Sequence, residues 1–214
     1  MFPTIESSAM TTLKITRRIA LFGGISALSG CSAVAALNSA GVPLDTFDLL
    51  PAGGATSGRR TSHSLLVALP QAPAAIASDR IVVKPDPASI TYLPAARWSD
   101  EAPVLLQSLL IRSIAATGRI GYVGRSDGGP VPDSALLVRM DAFDVNVMPD
   151  GTMLAKVDIA LTVLDDSNQR LIASRSFSQS APANDDTPAA IVAAFQTALN
   201  SLLPTATDWV MRNA

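Results

Sequence analysis

Gly124-Arg125-Ser126-Asp127-Gly128 has the G-x-S-x-G spacing of a hydrolase nucleophile elbow, and it follows an apolar run, Ile120 to Val123, that reads as a strand. In such an elbow a sharp strand-to-helix turn exposes the serine hydroxyl, and a histidine from a later segment takes its proton. Two features oppose that chemistry. Gly129-Pro130-Val131-Pro132 follows in place of a helix, and the single histidine, His63, precedes the serine. Ser62 and Ser64 point away from His63 on a strand, so His63 could orient a serine only from another segment. Gly53 to Gly58 with Arg59-Arg60-Thr61 is similar to a phosphate-binding loop, yet it lacks the lysine that reaches the phosphates and a periodic helix after it. Asp165-Asp166 and Asp185-Asp186 are carboxylate pairs of the type used for metal or acid–base work, but both stand in turn contexts, where aspartate accepts local backbone N–H bonds. One Cys and one His are too few for a Cys/His zinc centre and leave no internal disulfide. The expectation is therefore no catalytic residue, no metal site and no cofactor, with Ser126 marking the rival reading as a hydrolase.

Cys31 has a context that does point to chemistry. Lys14, Arg17 and Arg18 precede the apolar segment Ile19 to Ala27, which ends in Leu28-Ser29-Gly30-Cys31. The segment has the length of a signal-peptide core, roughly 7 to 15 residues, and falls short of the roughly 18 that span a bilayer. Leu28-Ser29-Gly30-Cys31 resembles the bacterial lipobox, in which the thiol receives a diacylglycerol and cleavage leaves the cysteine first, with palmitate an expected acyl group. Residues 1–30 read as a lipoprotein signal peptide, counted from Met1 or from Met10. Thr16-Arg17-Arg18 leaves twin-arginine export open beside the Sec route. Ser32 stands where aspartate would favour inner-membrane retention in enteric bacteria, which favours the outer membrane of a Gram-negative envelope, facing the periplasm.

The 214 residues, 48% apolar and 16% charged, suffice for one domain of ordinary size plus extensions. A net charge of −2, with cations dispersed, argues against nucleic acid as a partner. Removing residues 1–30 takes three cations and Glu6 with it and deepens the charge to −4. Residues 31–44, rich in Ala, Ser, Gly and Asn, read as a flexible tether with a reach of about 45 Å at roughly 3.4 Å per residue. Residues 45–214 form the domain.

Within it, Thr46 to Leu50, His63 to Leu69, Ile81 to Val83 and Ile90 to Leu93 read as short strands, made edge-like or irregular by Pro70, Pro73, Pro85, Pro87 and Pro94. Ser99-Asp100-Glu101 with Pro103 predicts a helix start, and Gly118 its stop; Gln107, Ser108 and Arg112 mark the wet side of an apolar face built on Leu105, Leu106, Leu109, Leu110 and Ile114. Leu136, Val138 and Met140 alternate in one phase and Phe143, Val145 and Val147 in the other, which predicts a bulge near Asp141 to Phe143. Turns at Pro149-Asp150-Gly151 and Asp165 to Asn168 then close a meander. Thr187-Pro188 opens a second helix with Ile191, Phe195, Ala198, Leu199 and Leu202 in one stripe, Gln196 and Asn200 facing away, and Pro204 predicted to kink or interrupt it before Trp209. The class is α+β: a single domain whose mainly antiparallel or mixed β-sheet is covered by two principal helices, with Trp98, Leu106, Leu109, Phe195 and Leu199 in one core.

The lipobox and tether, Thr46-Phe47-Asp48-Leu49, Arg97-Trp98-Ser99-Asp100-Glu101-Ala102-Pro103 leading into a Leu-rich helix, and a long hairpin before an Ala-rich helix ending near Trp209 occur in one order. Together they resemble the ABC-type transport auxiliary lipoprotein family, the PqiC-like group, over roughly residues 45 to 212, with Phe47 where the family often carries Tyr. The resemblance implies an accessory role without catalysis, beside an MCE-domain protein, a permease and an ATPase that move lipid between membranes. The other open readings are the Ser126 hydrolase and a structural envelope lipoprotein. A homo-oligomer is possible, and the segment Val83 to Trp98, carrying Lys84 and Asp86, is the expected docking region. Mass spectrometry of the mature protein is expected to show an acylated Cys31 as the first residue; a free thiol, or a chain beginning elsewhere, would contradict it.

Overall fold

The chain runs β1 (Asp45–Phe47), β2 (Ser64–Val67), β3 (Arg80–Lys84), β4 (Thr91–Trp98), α1 (Ala102–Ala115), β5 (Tyr122–Gly124), β6 (Ser134–Val147), β7 (Met153–Asp165), β8 (Arg170–Pro182) and α2 (Pro188–Asn213). This computed structural model describes residues 44–125 and 127–214; the signal segment, Cys31, the tether up to residue 43, and Ser126 lie outside the described residues.

The antiparallel meander β6–β7–β8 is the spine of the sheet. β7 keeps strict period 2, with Val157, Ile159, Leu161 and Val163 fully buried on one face. β6 changes phase as its sequence predicts: the register shifts between Met140 and Ala142, so Met140 opposes Ile159 and Phe143 opposes Val157 on the same buried face. Asp141 is the extra residue, and Arg139 grips its carboxylate at 2.7 and 3.0 Å.

On the other edge of β6, β2 pairs parallel with its first residues and β3 parallel with its last, joined by an isolated bridge from Gln71 to Arg139. The two short strands thus share one interrupted lane. β5 adds parallel to β2, β4 antiparallel to β3, and β1 parallel to β4, which completes an eight-stranded mixed sheet of the expected α+β class.

Of the two outcomes expected from the prolines, edge-like or irregular strands, the edge position does not hold, while irregularity does occur at Pro94. β2, β3 and β4 each have a neighbour on both sides, because Pro70, Pro73, Pro85 and Pro87 fall in the connections. Pro94 does lie within β4. There Ala95 takes φ 55, and the stretch from Tyr92 to Arg97 faces only that from Arg80 to Val82 on β3, so the missing N–H falls in a bulge.

Both helices pack on one face of the sheet and touch each other. The α1 cap differs from the Ser99 expectation. Glu101 is the N-cap without a side-chain bond, while Ser99 donates its N–H to the Phe47 carbonyl at 2.8 Å and Ala102 donates to the Ser78 carbonyl at 3.0 Å. A neighbouring chain segment therefore accepts one of the N–H groups that a capping side chain would have served. Gly118, at φ +61, follows the helix as expected. Gln107 is buried rather than wet, and its amide donates to the Val67 carbonyl at 2.9 Å.

In α2 the Thr187 hydroxyl accepts the Ala190 N–H, with Pro188 in the first turn. Of the two outcomes expected at Pro204, the interruption is absent: the helix continues to Asn213. Proline inside a helix costs about 3 kcal/mol. Beyond it Ala206, Trp209, Val210 and Met211 stay buried, and each large side chain contributes roughly 1.5–3 kcal/mol, so packing outweighs the lost hydrogen bond.

Trp98, Phe143 and Phe195, each at most 1% exposed, meet at centroid distances of 5.6, 5.2 and 5.0 Å where β4, β6 and α2 converge. Leu106, Leu109 and Leu199 complete the expected core. Phe195→Ala is expected to cost about 3–5 kcal/mol in urea unfolding; a loss under about 1 kcal/mol would mean the site collapses without a cavity.

Candidate functional site

Of the two glycines in the elbow-like string, Gly124 serves a packing role and Gly128 faces open space. Tyr122 on β5 lays its ring and hydroxyl against Gly124 and Gly129, where a Cβ would collide with it, and its hydroxyl donates to the Gly128 carbonyl at 3.2 Å. Ser126 itself lies outside the described residues. Residues 127–133 form turns and bends and lead into β6, with no helix among them. His63 is exposed just before β2 and contributes backbone bonds, its N–H to the Thr61 hydroxyl and its carbonyl to the Tyr122 N–H. Beside it Asp133 accepts both the N–H and the hydroxyl of Ser64 at 2.8 and 2.9 Å, and these bonds hold its carboxyl below the usual aspartate value.

The glycine-rich strap from Gly53 to Gly58 is also structural. Ala55 donates its N–H to Asp208 of α2 at 2.8 Å, Gly54 lies so close to that carboxylate that a side chain would clash, and Gly58, at φ +125, crosses the Arg119 guanidinium. The carboxylate pairs shape turns, as expected: Asp165 accepts from Ser167 and Asn168, and Asp185 from Thr187. Among the described residues no group of three or more His, Cys, Asp or Glu side chains could hold a metal ion.

One end of the sheet gathers a different set of residues. β3, β6 and β8 run in the same direction, so the connections that follow them, Pro85 to Ile90, Met148 to Thr152 and Ala183 to Thr187, emerge together. The Ala183 N–H bonds the Met153 carbonyl at 2.8 Å and ties the third connection to the second. Between the first two lies a groove of about 560 Å3 lined by Pro85, Pro87, Val147, Met148 and Pro149, with Lys84 and Asn146 at its base. Lys84 Nζ stands 2.7 Å from the fully buried Asp144 carboxylate, which also accepts the Asn146 amide at 2.9 Å. At the rim Asp86 accepts the N–H groups of Ala88 and Ser89, and Asp150 that of Thr152. Side-chain contact with Ser89 leads the causes that lower the Asp86 carboxyl, and the Thr152 N–H leads those that lower Asp150, so both remain ionised at neutral pH.

Of the expected docking region Val83 to Trp98, only Pro85 to Ile90 is a free connection; the rest is strand, and Trp98 is core. Sequence reasoning found Lys84 and Asp86 and missed Asp144 and Asn146. Their one signal was two polar residues flanking Val145 in a strand otherwise rich in apolar side chains.

A mixed sheet carrying two helices on one face makes this a domain of α+β type. The chain belongs to the ABC-type transport auxiliary lipoprotein family, whose model, described as ABC-type transport auxiliary lipoprotein component, matches residues 47–205. A lipoprotein family of this kind is associated with the cell envelope and with an ABC-type transporter. Among solved structures, protein XCC0632 from Xanthomonas campestris is 26% identical with a TM-score of 0.73, covering 79% of this chain and 96% of that one. An uncharacterised protein shares the fold at 14% identity and a TM-score of 0.56, covering 79% and 97%. No curated protein matched the sequence.

Removing one partner of a buried pair leaves the other charge uncompensated. Lys84→Ala is expected to lower stability by roughly 3 kcal/mol, and Asp144→Asn in the same chain to recover part of it. Chemical unfolding of the two single variants and the double variant checks this; additive losses would show that the pair is not coupled.

Proposed function

We propose that this protein is a lipid-anchored, periplasm-facing accessory subunit of an MCE-type ABC transporter that moves lipid across the envelope. The family match over residues 47–205 carries the proposal, since it makes the domain a transport auxiliary lipoprotein. The lipobox-like Leu28-Ser29-Gly30-Cys31 supports anchoring through an acylated Cys31, and Ser32 supports the outer membrane as its site. Acyl chains contribute about 0.8 kcal/mol per buried CH2, and a tether of residues 31–44 then keeps the domain at high local concentration beside the membrane. In this role the domain binds and positions and turns over no substrate; its partners are the MCE-domain protein with its permease and ATPase.

Co-purification from detergent-solubilised envelopes tests the proposal. The lipidated chain is expected to bring down an MCE-domain protein, and Cys31→Ala, exported behind a conventional cleavable signal, to reduce recovery at least tenfold by removing the anchor. Failure to recover an MCE protein with Cys31 intact, together with ester hydrolysis lost in Ser126→Ala, would replace the accessory reading with the enzymatic one.

A further inference from the structure

We infer that the groove at the turn end of the sheet is the docking site for a partner protein, and that it takes a peptide segment with an apolar side chain flanked by lysine or arginine. The inference rests on the accessory reading and adds to it a face and a chemistry.

Three observations converge on this end. The lining is apolar and stiff: Pro85, Pro87 and Pro149 fix their own φ angles, Val147 is half-buried, and Met148 is 41% exposed. Ile90, 53% exposed, stands on the same connection immediately before β4. A prearranged groove loses little conformational entropy on binding, and methionine adapts to varied apolar shapes.

The charge is one-sided. The three connections carry Asp86, Asp150, Asp185 and Asp186 and contain no Lys or Arg, and Lys84, at the end of β3, is already held by Asp144. Asp86, Asp150 and Asp185 each accept local N–H bonds, which fix the direction of their charge and keep them ionised. An apolar groove framed by fixed carboxylates attracts a segment that offers an apolar anchor between cations, and it repels an anionic lipid surface.

The third observation is rigidity at the base. Asp144 sits on the strand that leads into the Met148 turn; its ion pair with Lys84 ties β3 to β6 beneath the groove, and Asn146, two residues along β6, holds the carboxylate from the same strand. The two walls therefore keep a constant separation. The opposite end of the sheet also carries aspartates, Asp133, Asp165 and Asp166, but there they are mixed with Arg59, Arg60, Arg119, Arg125 and Arg170, so its charge is not one-sided.

A photo-crosslinking residue at position 148 of the full, lipidated chain in native envelopes tests the inference, with one at position 171, at the far end of the sheet, as reference. Mass spectrometry of the 148 product is expected to find a peptide of the co-purified MCE protein with an apolar residue between lysines or arginines. Asp86→Asn with Asp150→Asn keeps the oxygens that accept the turn N–H groups and removes both charges; it is expected to lower the 148 yield roughly tenfold without changing the melting temperature or the 171 products. Raising salt from 0.1 to 0.5 M should weaken the product in the same direction. Recovery of the MCE protein with a 148 product that is lipid, a second copy of this chain, or a peptide without cations would overturn the groove while leaving the accessory role standing. An unchanged yield in the double variant would overturn it as well. Absence of the MCE protein from the purified material would remove the accessory role itself.

Discussion

The single extra residue in β6 decides what the rest of the domain can do. Without the bulge at Asp141, Phe143 and Val145 would turn to the face opposite Met140, and Phe143 could not meet Trp98 and Phe195. That aromatic contact joins three elements distant in sequence: the end of β4, the middle of β6 and the second turn of α2. Such pairs add roughly 0.5–1.5 kcal/mol beyond area burial, and losing one ring from a close-packed junction leaves a cavity as well. The bulge also divides the outer edge of β6, so that β2 pairs on one side of it and β3 on the other.

Irregular segments around this frame are held by polar side chains reaching to their backbone. Gln107 donates to the Val67 carbonyl, Arg112 to that of Leu49, and the Gln196 amide both donates to and accepts from Leu50. Buried or half-buried backbone groups without a strand partner would each cost on the order of 1–3 kcal/mol, so these long-range bonds explain how the short β1 and its following strap lie stably across the helices. They also explain why the glycines of the strap are needed for close approach rather than for phosphate.

In the accessory role proposed above, lipid attachment and the folded domain divide the labour. Acyl chains outside the domain would supply the membrane affinity and leave the surface of the sheet and its turns to protein recognition. A rigid sheet presenting stiff, proline-bounded connections at one end suits that task, because recognition then costs little ordering entropy.

The sequence by itself determined the periodic features: the meander, the phase change in β6, both helical stripes and the turn role of the aspartate pairs. Each depends on residues close along the chain, where strand and helix periods are visible directly. Only the tertiary structure decided that β2, β3 and β4 are interior, that Gln107 and Gln196 face backbone carbonyls, and that α2 continues through Pro204. In each of these cases the deciding partner lies far away in sequence, and burial or a long-range hydrogen bond outweighs the local preference. The Lys84–Asp144–Asn146 cluster belongs to the same group: its members come from two strands made adjacent only by parallel pairing of β3 with β6, a relation that no local pattern encodes.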